Sequence, residues 1–179
     1  MTEWISQAWA QQAKSMGGHG LQARTSLAQA VRIAERQTGG RAWKAEMERA
    51  RGAYVYEIET ASQDGATEVV VDPASGNVLR VDTPGFESSV ASIFGSDGQR
   101  KDRVAWLEAS SMGLAGAIDA AAKEPGGGVV GAALKSRQGS TLFEVSVIKD
   151  SVLRKVWVNP TAVNVVMVAP HGERTDEDD

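Results

Sequence analysis

The sequence contains no cysteine, so disulfides, zinc–thiolate centres and thiol nucleophiles are excluded together. Histidine is nearly as scarce. The two copies, His19 and His171, lie close to opposite ends of the chain and each sits beside glycine. They read as residues of flexible termini rather than as a metal pair. No H-E-x-x-H, G-x-S-x-G or Walker pattern occurs, so a nucleophile–histidine machine is poorly supplied and an enzyme is not expected. No apolar run approaches the roughly 20 residues that a membrane-spanning helix needs. The first residues show no basic stretch leading into an apolar one. Net charge of either sign is also missing from the body of the chain. The formal total is −4, and residues 173–179 supply all of it, with Glu173, Asp176, Glu177, Asp178 and Asp179 against Arg174. A chain without a basic surplus is a poor partner for nucleic acid.

What the sequence does contain is a repeat. An offset of 87 aligns segments 26–82 and 113–169 without a gap. Leu27, Ala30, Val31 and Ala34 fall on Leu114, Ala117, Ile118 and Ala121. Gly39 and Gly40 fall on Gly126 and Gly127, and Trp43, Ala45 and Met47 on Val130, Ala132 and Leu134. Tyr56, Glu57 and Ile58 fall on Phe143, Glu144 and Val145, and Asp72-Pro73 on Asn159-Pro160.

Each segment reads as a helix followed by strands. Ser26 with Gln29 three residues on is a capping box, and the apolar residues at three-to-four spacing give the helix one buried stripe. Gly39 and Gly40 stop it. Trp43, Ala45 and Met47 then alternate with Lys44, Glu46 and Glu48, which is the pattern of a half-buried strand. Arg51–Gly52 is a turn, Tyr54 to Glu59 a second strand, Asp64–Gly65 a hairpin signal, Glu68 to Val71 a third strand, and Asn77 to Val81 a short fourth. A helix with one apolar stripe and a sheet with one apolar face can bury each other, so the predicted fold is α+β, two repeats of a helix on a small antiparallel sheet. A block of about 57 residues is marginal alone, which predicts that the two blocks pack together or share the intervening segment. Val104 to Leu107 is expected to lengthen the second helix.

The helix from Leu27 to Val31 and on to Gly40, the strand Tyr56 to Glu59, and the closing run from Val69 through Asp72-Pro73 and Gly76 to Val78 resemble the PepSY family. The second copy keeps Phe143 to Val145 and Val156 to Pro160, but has Val163 where the turn glycine would be. The resemblance implies an organisation of 1–24 as an N-terminal helical segment, 25–82 and 104–169 as PepSY-like repeats, 83–103 as linker and 170–179 as a disordered acidic tail. It also implies a non-catalytic module that binds or restrains a peptidase or another envelope protein. Such a module works on the periplasmic or extracellular side of a bacterial membrane. A native start at Met1 would instead leave it in the cytoplasm.

Several features invite sharper readings. Gly126 to Gly131 fits G-x-G-x-x-G, but a helix precedes it and a strand follows, the reverse of a dinucleotide site. Tyr56, Glu57, Phe143 and Glu144 occupy equivalent strand positions and are the expected binding residues of a protein or peptide partner. Alternation points both glutamates away from the apolar face. Asp72 and Asn159 each precede proline, where a side-chain oxygen caps a turn. The alternative function is a binder of hard cations, calcium or a lanthanide-like ion, through clustered carboxylates. Its expected ligands are Glu57, Glu59 and Glu68, with Asp176, Glu177, Asp178 and Asp179 in the tail. Otherwise no cofactor is expected. Trp4, Ile5, Ala8, Trp9, Ala13 and Met16 form an amphipathic stripe that would pack on the first block or meet a partner.

Overall fold

The computed structural model describes residues 23–83, 104–123, 127–137, 139–161 and 164–170. The histidines, the N-terminal apolar stripe, the linker and the acidic tail lie outside these residues. The chain is mixed α+β. Helix α1 (Leu27–Thr38) is followed by β1 (Arg41–Ala50), β2 (Ala53–Ser62), β3 (Gly65–Val71) and β4 (Val78–Asp82). A helical segment α2 (104–109) and helix α3 (Leu114–Lys123) come next. They lead to β5 (Gly128–Arg137), β6 (Ser140–Lys149), β7 (Val152–Asn159) and β8 (Asn164–Pro170).

The strands form one eight-stranded antiparallel sheet in the order β4-β3-β2-β1-β5-β6-β7-β8. The seam between its halves is short, pairing Lys44 with Ala133, Ala45 with Ala132 and Glu46 with Gly131. Adding 87 to each partner converts the β1–β2 register into that of β5–β6, so that Met47↔Tyr56 becomes Leu134↔Phe143. The irregularities obey the same shift. Bulges fall between Ala42 and Lys44 and between Val129 and Gly131, then between Val70 and Val71 and between Trp157 and Val158.

Local chemistry sets the element ends. Ser26 Oγ accepts from the Gln29 amide at 3.2 Å, and the Ser26 amide donates to Gln29 Oε1 at 2.8 Å, so two donors at the head of α1 are satisfied reciprocally. Gly39 takes φ +70° and returns its N–H to the Glu35 carbonyl. At Gly40 the constraint is space: a Cβ there would stand 2.9 Å from the Ala61 carbonyl oxygen. The same crowding recurs at Gly127 against Ile148. Asp72 caps its turn by accepting from the Ala74 amide at 2.9 Å and the Ser75 hydroxyl at 2.6 Å, and Asn159 accepts from the Thr161 amide at 2.9 Å.

Two expectations are corrected. The residues of α2 do not lengthen the second helix, because 110–113 interrupt it. Ser110 Oγ donates to the Met112 carbonyl at 2.8 Å, and Gly113 lies where a Cβ would come within 2.6 Å of the Arg41 guanidinium. In the β2–β3 hairpin, Ser62 pairs with Gly65, so the turn residues are Gln63 and Asp64 rather than Asp64 and Gly65.

Both long helices lie on one face. Ala45 and Ala132 are directly opposite and buried, and a single apolar cluster takes in Val31 and Ala34 of α1, Ile118 and Ala121 of α3, and Trp43, Ile58, Phe143 and Val156 of the sheet. Alternation leaves the other side of the sheet to a mostly polar set of residues with Val55, Val70 and Trp157 among them, and no described helix covers it.

Candidate functional site

That second face is built by the residues between the core positions. Over β1–β4 it presents Glu46, Glu48, Glu57, Glu59, Glu68 and Asp82 with only Lys44 and Arg80 among them. Over β5–β8 the balance reverses, with Glu144 against Lys135, Arg137 and Lys155. The pairing registers bring like charges together. Glu46 stands opposite Glu57 and Glu59 opposite Glu68, an arrangement that destabilises a sheet unless cations intervene.

The cations do intervene. Lys44 Nζ lies 3.3 Å from Glu46 and 3.2 Å from Glu59. Arg80 pairs with Glu68, and its Nε lies 2.7 Å from Asp82. In the other half Lys155 Nζ donates to Glu144 at 2.9 Å and to Ser146 Oγ at 2.8 Å, and the Arg137 guanidinium lies 4.9 Å from the centre of the Trp157 ring. The compensation is incomplete. Burial holds Glu57 above the usual glutamate range, the charges of Glu68, Glu48 and Glu46 add to it, and Lys44 offsets only part. Burial and then Glu46 raise Glu48 in the same way. Burial alone would lower Lys44, but Glu46 and Glu59 outweigh it and hold the ammonium above the ordinary lysine value. The β1–β4 half of the face is therefore a half-buried anionic surface with capacity for more positive charge.

The expected site residues divide. Glu57, Glu59, Glu68 and Glu144 lie on this face, as strand alternation requires. Tyr56 and Phe143 do not: they are 3% and 0% exposed and belong to the core beneath the helices. Phe143 lies 6.3 Å from the Trp106 ring of α2. Their role is packing, and a partner on the second face cannot touch them. Among the described residues no three Asp, Glu, His or Cys side chains converge as a metal would need, and Lys44 and Arg80 occupy the places between the carboxylates. Asp176, Glu177, Asp178 and Asp179 lie outside the described residues. Sequence reasoning missed Lys44 and Arg80. Lys44 was visible in the alternation with Glu46, but its link to Glu59 exists only once the hairpin register is set.

The glycine run also resolves. Gly128 opens strand β5, so its context is not that of a dinucleotide loop. Among the described residues no helix is long and apolar enough to cross a membrane.

No curated protein matches the chain. A crystal structure of a candidate lipoprotein from Clostridium difficile 630 is similar in fold, with a TM-score of 0.52 at 18% identity, covering 84% of this chain and 96% of that one. The family model described as "Peptidase propeptide and YPEB domain" matches residues 25–82, the stretch that holds α1, β1–β4 and the whole acidic half of the second face, and this part of the chain is a PepSY domain.

Proposed function

We propose that this chain is a non-enzymatic, extracytoplasmic binding module made of two PepSY-like units, 25–82 and 104–169, joined edge to edge. Its partner is a polypeptide, a peptidase or another envelope protein, received on the second face of the sheet. The observation that supports this reading is the acidic half-face over β1–β4, where Glu57 and Glu48 carry charge that Lys44 and Arg80 do not fully offset. Cationic side chains of a partner would complete that compensation, their attraction to half-buried carboxylates offsetting the cost of their own desolvation. The shared register of the two halves supports the two-unit description.

A sheet edge serves less well than this face. Both edge strands, β4 and β8, pair through a bulge, β8 ends at Pro170, and β4 turns Arg80 and Asp82 outward, which are features that discourage strand addition. The lipoprotein character of the similar structure and the PepSY match both favour a site outside the cytoplasmic membrane. The test is complex formation with individually purified peptidases of the same cell envelope, followed by sedimentation and residual peptidase activity. A complex lost on reversing Glu57 and Glu59 to lysine, and kept on reversing Asp64 in the exposed β2–β3 turn, supports the reading. A complex indifferent to Glu57 and Glu59 removes this face from the account.

A further inference from the structure

The helix-bearing side carries a feature that this function does not use. A groove of about 290 Å³ runs between α1 and the turn ahead of β4. Its lining includes Arg24, Arg32 and Arg36, with Gln29, Ser75 and the half-buried side chain of Ile33. Arg32 is tied to Asp119 of α3 at 2.5 Å. No ion pair among the described residues holds Arg24 or Arg36.

The groove belongs to the fold, because a second one of about 600 Å³ lies between α3 and β8. Its lining positions, Met112, Gly116, Asp119, Ala120 and Lys123, are those of Thr25, Gln29, Arg32, Ile33 and Arg36 shifted by 87. The chemistry is not repeated. Asp119 replaces Arg32 and Lys123 replaces Arg36, so the second groove balances one charge of each sign while the first concentrates three guanidinium groups.

We propose that the α1 groove binds an extended acidic segment of a polypeptide. Arg32 and Arg36 are four residues apart on a helix, about 6 Å along its axis. Alternate residues of an extended chain are about 6.6 Å apart. Carboxylates at every second position of such a chain therefore meet successive guanidiniums, Arg36 able to bind bidentately and Arg32 through the N–H donors that Asp119 does not take. The intervening side chains point away from the helix and leave the contact to the acidic positions. The three arginines are exposed, but no exposed large apolar side chain lies among them to enter a bilayer, which favours a polypeptide. This groove and the acidic face lie on opposite sides of the sheet and use no common residue, so the two assignments stand or fall separately.

The experiment is fluorescence anisotropy with a labelled peptide alternating Glu and Ala, titrated with the full chain at low and physiological salt. Saturable, salt-sensitive binding is expected. It weakens at least about tenfold in the double variant R24A/R36A, as expected when two charge-assisted contacts are lost. It is unchanged in K123A, and thermal melting of both variants matches the parent, since Arg24 and Arg36 are exposed. Three results overturn the proposal. They are equal affinity in R24A/R36A, equal affinity for a peptide alternating Lys and Ala, and capture by phosphatidylglycerol vesicles with none by the peptide. Peptide binding only when the chain ends at Gly172 supports the groove's chemistry and assigns it to the chain's own acidic tail.

Discussion

Replacing Lys44 by methionine keeps the aliphatic stem and removes the charge that joins β1 to β2 on the acidic face. The ammonium lies 3.2 Å from Glu59 and 3.3 Å from Glu46, with the three side chains 26%, 15% and 30% exposed. Such a group falls between two regimes. Exposed pairs contribute at most about 1 kcal/mol. Breaking a fully buried pair costs about 3–5 kcal/mol. Partial burial places K44M at about 1–2 kcal/mol. For a chain of this size that lowers Tm by about 2–8 °C.

The pH dependence is the sharper part. Glu48 and Glu57 have folded-state pKa values above 4.5, so the unfolded chain releases their protons first. Their charged forms therefore oppose folding, and this penalty appears over a window of rising pH through and above the ordinary glutamate range. Lys44 lowers both pKa values, so removing it widens that window and deepens the penalty. K44M should lose more stability at pH 7 than at about pH 4, where about two thirds of ordinary glutamates are protonated. E57Q should do the reverse, raising Tm at pH 7 by an amount worth no more than about 1 kcal/mol after solvent screening, and leaving it unchanged at about pH 4. Urea denaturation at the two pH values measures both. An equal loss for K44M at both pH values, or none at either, would refute the electrostatic account of the face.

Phe143→Ala, at a fully buried position, should cost about 3–5 kcal/mol and act through stability; Tm loss without melting-independent loss of partner affinity is the expected pattern in paired melting and binding measurements. Gly40→Ala and Gly127→Ala should each destabilise by about 1–3 kcal/mol in chemical denaturation, because the new methyl meets a strand carbonyl rather than a movable side chain. Calcium should leave the Tm of the chain ending at Gly172 unchanged, since Lys44 and Arg80 already occupy the carboxylate face; a rise would restore a cation site in the folded residues.

Much of the local structure was legible because it depends on neighbours in sequence. Ser26 and Gln29 announced the head of α1, Gly39 its end, and Asp72 and Asn159 their capped turns. The alternation that placed Glu57 off the apolar face also held. The constant offset signalled two similar stretches, but their joining through β1 and β5 was not legible. Three residue pairs built on Ala45, Ala132 and Gly131 leave no motif, because small residues at a seam look like any other small residues. The same limit applies to the site. Glu57, Glu59 and Glu68 were recognisable as a charged set, whereas Lys44 and Arg80 as their partners required the β1–β2 and β3–β4 registers. Tyr56 and Phe143 misled because an aromatic beside a glutamate in a strand looks the same whether it faces a partner or a helix. The α1 groove depends on residues as distant as Arg24 and Ser75 converging, which no local pattern reports.

The most direct test of the account is site-specific photo-crosslinking in the native envelope, with the reactive side chain placed in turn at Glu57, at Ser146 and at Asp64. The account predicts one common protein product from Glu57 and Ser146, identifiable by mass spectrometry as a peptidase or another envelope protein, and none from Asp64. Products of equal yield from all three positions, or a product from Asp64 alone, would contradict the claim that the second face of the sheet is the working surface of this module.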